Sequence, residues 1–415
     1  MRFNYLSVFY VLIYSFQMVF SLWLDRLNRD HLKRLGTKVP KIFEGFIDQD
    51  AMIRMNDYTV DRSRLFQIRK VITDIVLLGF LLSGFLVTLD SYGARAVSGY
   101  IWTGLIFFLV FTAIFFVLDL PFDFYETFFI EEQYGFNKSD FSTWATDNLK
   151  SGLLSAVLLS AVLAPLLWII QAAPNYWWFW GFVVAAALQL VLVVLYPILI
   201  APIFNKFEPV KDEELAHKVE ALVKGLGMRT SGIFQMDAGR RSTHSNAYFT
   251  GLSKTKRVVL FDTLIQSHSH EEILAVLAHE VGHYKRKHIL KSYLIAQLSM
   301  LVGFYITFLI MNWGHFYDTF GIDAAHSYLG LLVIGIFWQR ISFFLKPVYM
   351  RLSRSFEQEA DEFAVRAQAD ARPLAQALKK LASHNLSNLS PHPMYVWFNY
   401  SHPPLLQRIN HLEAI

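Results

Sequence analysis

The sequence predicts a mainly α-helical, multi-pass membrane protein of about seven transmembrane helices, joined to a polar domain with a small β-sheet. Three observations lead there. Of 415 residues, 54% are hydrophobic and only 17% charged, whereas soluble globular chains carry about 25% charged residues. Several apolar stretches reach the roughly 20 residues that a helix needs to cross a bilayer. Between the fifth and sixth of these, and again after the last, the chain turns polar and periodic.

The apolar stretches lie near 4–24, 71–89, 97–118, 152–170, 177–200, 289–311 and 327–349. The first follows Arg2 and ends in SLWLDRLNRD without a small-residue cleavage site, so it reads as an uncleaved anchor. The last contains Arg340, which either snorkels to the boundary or faces a polar interior. Asp74, near the start of the second and so at its basic end, is expected to pair with Arg69 or Lys70. Lys and Arg crowd 25–70, 201–288 and the tail after 350, and are missing from the loops near 171–176 and 312–326. By the positive-inside rule the basic side is cytoplasmic. Residues 201–288 and 350–415 are separated by two crossings, so they face one compartment and can build one site.

The organisation that follows is 1–200 for the first five spans, 201–288 and 350–415 for the two parts of the polar domain, and 289–349 for the last two spans. EELAHKVEALVKGLGM (213–228) has helical periodicity. GIFQMDA (232–238), AYFTGL (247–252) and RVVLFDT (257–263) read as short strands. SHEEILAVLAHEVGHYKRKH opens a helix with Ser269 as N-cap and Glu272 completing a capping box. The tail reads as a helix at 351–368, another at 372–384, a loop around SHPP and a short final helix. A formal charge of +4 gives no global field for nucleic acid. With no cysteine, disulfides and thiolate metal sites are excluded.

The chemistry gathers at His279-Glu280-Val281-Gly282-His283, an HExxH pattern. Residues four apart share a helix face, so both imidazoles can reach one zinc ion. Glu280 stands beside them, where it can take a proton from the attacking water. The plainer reading is an amphipathic helix with surface histidines, in a chain that has 14 of them. A catalytic zinc takes three protein ligands. The tail offers SRSFEQEADEFAVRA, where Glu357 could ligate and Asp361, on the same face, could hold a ligand or assist proton transfer. An acidic face balanced by Arg351 and Arg354 would look similar. His288 falls five residues after His283 and off the metal face, which suits a membrane-boundary residue; His268, His270 and His392 read as loop residues.

HEVGH, then SRSFEQEAD, then SHPPLLQRI, in that order, resemble the type I CaaX prenyl proteases, integral-membrane zinc endopeptidases of the gluzincin group. EEQYGFNKSD (131–140) and SNAYFTG (245–251) match as well, so the resemblance runs through essentially the whole chain. It implies seven helices forming a barrel around a water-filled chamber, and one Zn2+ per chain held by His279, His283 and Glu357. Glu280 would be the general base, Asp361 its companion acid, and His402 a catalytic residue near the scissile bond. Arg408 would bind substrate, and Asn246 and Ala247 would lie on an edge strand along which the peptide is laid. The implied substrates are prenylated or membrane-associated peptides, and the implied setting is the bacterial inner membrane or the endoplasmic reticulum, with the site facing the cytoplasm. The chain departs from the family pattern at Gln358-Glu359, where an aromatic residue is usual. A broad quality-control protease and a seven-helix transporter with a structural metal are the alternatives.

Overall fold

The computed structural model describes residues 1–250 and 255–415. Six of its helices are long and apolar enough to cross a membrane, and a bent pair makes a seventh span. They are Tyr5–Leu35, Gln49–Ser83 with Phe85–Ala96, Tyr100–Tyr125, Phe141–Ala172, Trp177–Leu195, His288–Met311 and Ser327–Gln368. Asn4 and Ser7 close a capping box that starts the first span, and Asp140 caps the fourth. The second span is not the single helix expected at 71–89. It bends by 73° at Gly84, whose φ of 77° is a left-handed conformation that costs glycine nothing. The last span does not stop near 349 either. It continues through Pro347 into the expected 351–368 helix as one rod of 42 residues.

Each span packs on the next in order, and the seventh packs back on the first, which closes a ring. The fifth span has none of its apolar window buried, and the sixth only 6%. Helices so little covered are walls exposed on two faces, one to lipid and one to the interior. Gln297 donates to Gln189 at 2.6 Å between these two walls, a polar link of the kind that joins helices within a membrane. One end of the ring is filled. Tyr10, Leu81, Leu86, Phe107, Leu167, Trp177, Met311 and Val333 form a single buried cluster there. All come from the span ends beside the N-terminus and the connections near 84–99, 173–176 and 312–326, opposite the ends that lead into the polar domain, so the barrel is plugged at one end and capped by that domain at the other.

The polar domain holds a four-stranded sheet: β1 (Phe207–Pro209), β2 (Arg229–Met236), β3 (Ala247–Thr250) and β4 (Thr255–Phe261), in the order β1-β2-β4-β3. β2 runs parallel to β4, and the outer pairs are antiparallel. β1 was not legible in the sequence, and β2 starts earlier than expected. Residues 251 and 252 of the expected strand at 247–252 lie outside the described residues. Helices Glu213–Gly225 and His270–Lys285 pack on the sheet through Leu215, Val219, Val223, Leu260, Ile273, Leu277 and Val281. The 131–140 loop joins the membrane ring to this domain by backbone pairing, Lys138 N–H to Arg241 O at 3.0 Å and Thr243 N–H to Phe136 O at 3.2 Å.

Candidate metal centre

The helix His270–Lys285 begins as expected. Ser269 accepts the Glu272 N–H, and the Glu272 carboxylate accepts the Ser269 N–H. The helix then runs against the rod that carries Glu357. A Cβ built on Gly282 would stand 3.1 Å from Ala360 Cα and O, so glycine is what lets the two backbones approach. That approach brings three side chains together. The Nε2 atoms of His279 and His283 are 3.1 Å apart, and Glu357 oxygens lie 3.5 and 3.3 Å from them. One donor atom from each residue fits within a 4.8 Å group.

These residues suit a metal ion. Glu357 is 4% exposed, and its Oε2 is buried without a hydrogen-bond partner. A buried carboxylate oxygen that accepts no hydrogen bond is costly unless cations meet it, and the nearest guanidinium or ammonium among the described residues is that of Arg408, at 3.6 Å. Burial pulls His279 down, but the Asp361 and Glu357 carboxylates overcome it and carry the imidazole up to about 9. The negative charge that would hold a proton there is the charge that holds a cation. The two imidazole nitrogens and one carboxylate are the ligand set of a three-ligand catalytic zinc site.

Around the three candidate ligands stand the other expected residues. Asp361 Oδ1 lies 2.8 Å from His279 Nδ1. Arg408 donates to both oxygens of Asp361, at 2.9 and 2.6 Å, and its Nη1 is 3.6 Å from Glu357. Arg408 is thus buried and committed to carboxylates of the protein itself. His402 Nε2 is 3.2 Å from Glu357 Oε1, with its side chain 60% exposed at the mouth of the site. It also borders a cavity of about 710 Å3 with Arg62, Phe66, Leu378 and Tyr395. Glu280 is half-buried beside the pair. Burial pushes its carboxyl up, and the neighbouring imidazoles offset part of that. Asn246 is exposed at the start of β3, the edge strand of the sheet, and Ala247 is buried within it.

Several residues stand elsewhere than expected. His288 opens the sixth span, yet it is 2% exposed and faces His283, with the two Nδ1 atoms 3.2 Å apart. His270 opens the metal helix with its Nε2 at 2.8 Å from Asp212, and His268 is buried. Asp74 pairs with neither Arg69 nor Lys70. It meets the buried Arg340 at 2.8 Å, while Arg69 pairs with Asp119. Arg340 also donates to Gln17 and to the Tyr14 hydroxyl, so it neither snorkels nor faces the chamber. An ion pair closes the gap between three spans, which hydropathy cannot foresee.

The family described as CAAX prenyl protease N-terminal, five membrane helices, matches residues 28–206, and Peptidase family M48 matches residues 209–415. The CAAX prenyl protease 1 homolog of Arabidopsis thaliana is 34% identical over 411 residues, covering 95% of either chain. That of Homo sapiens is 31% identical over 353 residues, 75% of this chain and 74% of the relative. The crystal structure of S. mikatae Ste24p superimposes with a TM-score of 0.88 at 29% identity, covering 98% of this chain and 97% of that one.

Proposed function

The chain belongs to peptidase family M48, among the CAAX prenyl proteases, and we propose that it is a zinc endopeptidase that removes the C-terminal tripeptide from prenylated CaaX peptides. The observation that carries this reading is the convergence of His279, His283 and Glu357 on one point, with Glu280 next to it. One Zn2+ held by these three would supply Lewis acidity, polarising the scissile carbonyl and providing a nucleophile near neutral pH.

The residues of the chain do the rest. Glu280 takes the proton of the attacking water and passes it to the leaving amine, a role that its raised proton affinity suits. Asp361, clamped by Arg408, orients the His279 ring. His402, exposed over Glu357, is the residue best able to reach the developing oxyanion. Arg408 serves substrate through Asp361 and Glu357 rather than by direct contact. The peptide lies along the free edge of β3 from Asn246 and Ala247 by backbone hydrogen bonds. Residues 201–288 and 350–415 form the protease domain, facing the cytoplasm by the charge of the loops. The apolar plug at the far end of the ring argues against a transporter.

The test is release of the last three residues from a farnesylated CaaX peptide by purified protein. Glu280→Ala should lower turnover on the order of 10²–10⁴-fold, with zinc still bound, and a chelator should abolish it. Full activity in Glu280→Ala would end this mechanism. Absence of release from zinc-loaded, folded protein, with cleavage of unlipidated membrane proteins instead, would establish the quality-control role.

A further inference from the structure

The two imidazole ligands are held from behind in different ways. Behind His279 stands a carboxylate, Asp361. Behind His283 stands a third ring. His288 Nδ1 is 3.2 Å from His283 Nδ1, and His288 Nε2 is 3.1 Å from Glu359 Oε2. The His288 ring is stacked on Phe356, with centroids 4.2 Å apart and planes within 8°, so it cannot turn freely. A neutral imidazole has one donor nitrogen and one acceptor. His283 must leave the Nε2 lone pair free for a metal, so its Nδ1 carries the hydrogen. His288 Nδ1, facing that hydrogen, is then an acceptor, and its Nε2–H donates to Glu359. One set of proton positions satisfies all three groups.

We propose that His288 and Glu359 are positioning residues that fix the tautomer and ring orientation of His283 and strengthen it as a metal ligand. Glu359 draws on the His288 N–H, His288 becomes a better acceptor, and electron density shifts toward His283 Nε2. Partners of this kind beyond the ligands govern affinity as well as geometry. The proposal rests on the metalloprotease reading, but its consequences are read on the metal itself.

The experiment uses the full-length protein in detergent, stripped of metal and reloaded. Zinc dissociation is measured by competition with a chromophoric chelator, cobalt is added to record its d–d absorption, and kcat and KM are taken at saturating zinc. His288→Phe keeps a ring on Phe356 but removes both nitrogens. It should weaken zinc by about 10–100-fold, alter the cobalt band, and lower kcat while KM changes little. Glu359→Gln, at a half-exposed position, keeps an acceptor without the charge and should give a smaller shift in the same direction; Glu359→Ala should exceed it. Wild-type zinc affinity and an unchanged cobalt band in His288→Phe would overturn the proposal. Should that variant not fold, the same result in Glu359→Ala would overturn it. If the wild type binds metal but releases no tripeptide, the CaaX-processing reading fails while the relay is still measured.

Discussion

Burial raises the proton affinity of any carboxylate, yet Glu280 and Asp361 end on opposite sides of their ordinary range. Nothing outweighs burial at Glu280, which stays basic enough to accept a proton. At Asp361 the hydrogen bonds from His279 and Arg408 outweigh it and keep the group ionised. Asp212 is a third case, at the surface. Its side chain accepts the Leu215 N–H at 2.9 Å and lies 2.8 Å from His270 Nε2, and these bonds hold it below the usual range. A depressed folded-state pKa gives stability that is fully present above the unfolded value, about 3.9, and is lost as pH falls through the folded value. Asp212→Ala should therefore melt at a lower temperature than the wild type at pH 7, and the gap should begin to narrow only below about pH 4 and close as the folded carboxylate takes up its proton. Thermal unfolding at both pH values checks this; a gap that persists in acid would mean a packing effect. At this scale His279, Glu280 and His283 were legible because four-residue spacing is a property of any helix. His288 was not. Lys287 has φ 57°, a left-handed turn that ends one helix and resets the phase of the next, so counting residues from His283 places it on the wrong face.

Two elements meet at Gly282. The metal helix approaches the Glu357 rod so closely that an added methyl would meet backbone atoms, and backbone cannot move aside as a side chain can. Gly282→Ala should cost about 1–3 kcal/mol through overpacking. It should also separate Glu357 from the imidazoles, lowering zinc affinity together with stability. Denaturant unfolding and metal titration on one preparation test the pair; a stable variant with normal zinc affinity would show that the contact takes up the methyl without moving Glu357 from the imidazoles. The capping box at Ser269 and Glu272 was plain in the sequence because both partners are local. The unbroken rod was not. Hydropathy falls after residue 349, and a fall in hydropathy resembles the end of a helix. The backbone hydrogen bonds of a helix are indifferent to whether its side chains meet lipid or water, so the rod leaves the membrane without interruption.

Across the whole molecule the ring is held by polar as well as apolar contacts. Arg340 of the seventh span, Asp74 of the second, and Gln17 and Tyr14 of the first form one buried cluster. Removing one partner of a buried ion pair costs about 3–5 kcal/mol, while replacing both by apolar residues is often neutral. Arg340→Leu should therefore unfold far more readily, and Arg340→Leu with Asp74→Leu should recover most of the loss, with kcat and KM of the folded protein unchanged. Thermal melts and peptide-release kinetics together decide; lost activity in a stable double variant would make the cluster part of catalysis. The number of spans could be read from the sequence, but ring closure could not, because hydropathy carries no information about which helices are neighbours.

The same cluster grips the rod that bears Glu357, 17 residues further along one continuous helix, or about 25 Å at 1.5 Å per residue. A stiff rod anchored at one end sets an altitude. The cutting point stands at a fixed height relative to the lipid, whatever segment is offered to it. A substrate tethered by a greasy tail would then be measured as cloth is against a ruler, by the length of spacer between tether and blade.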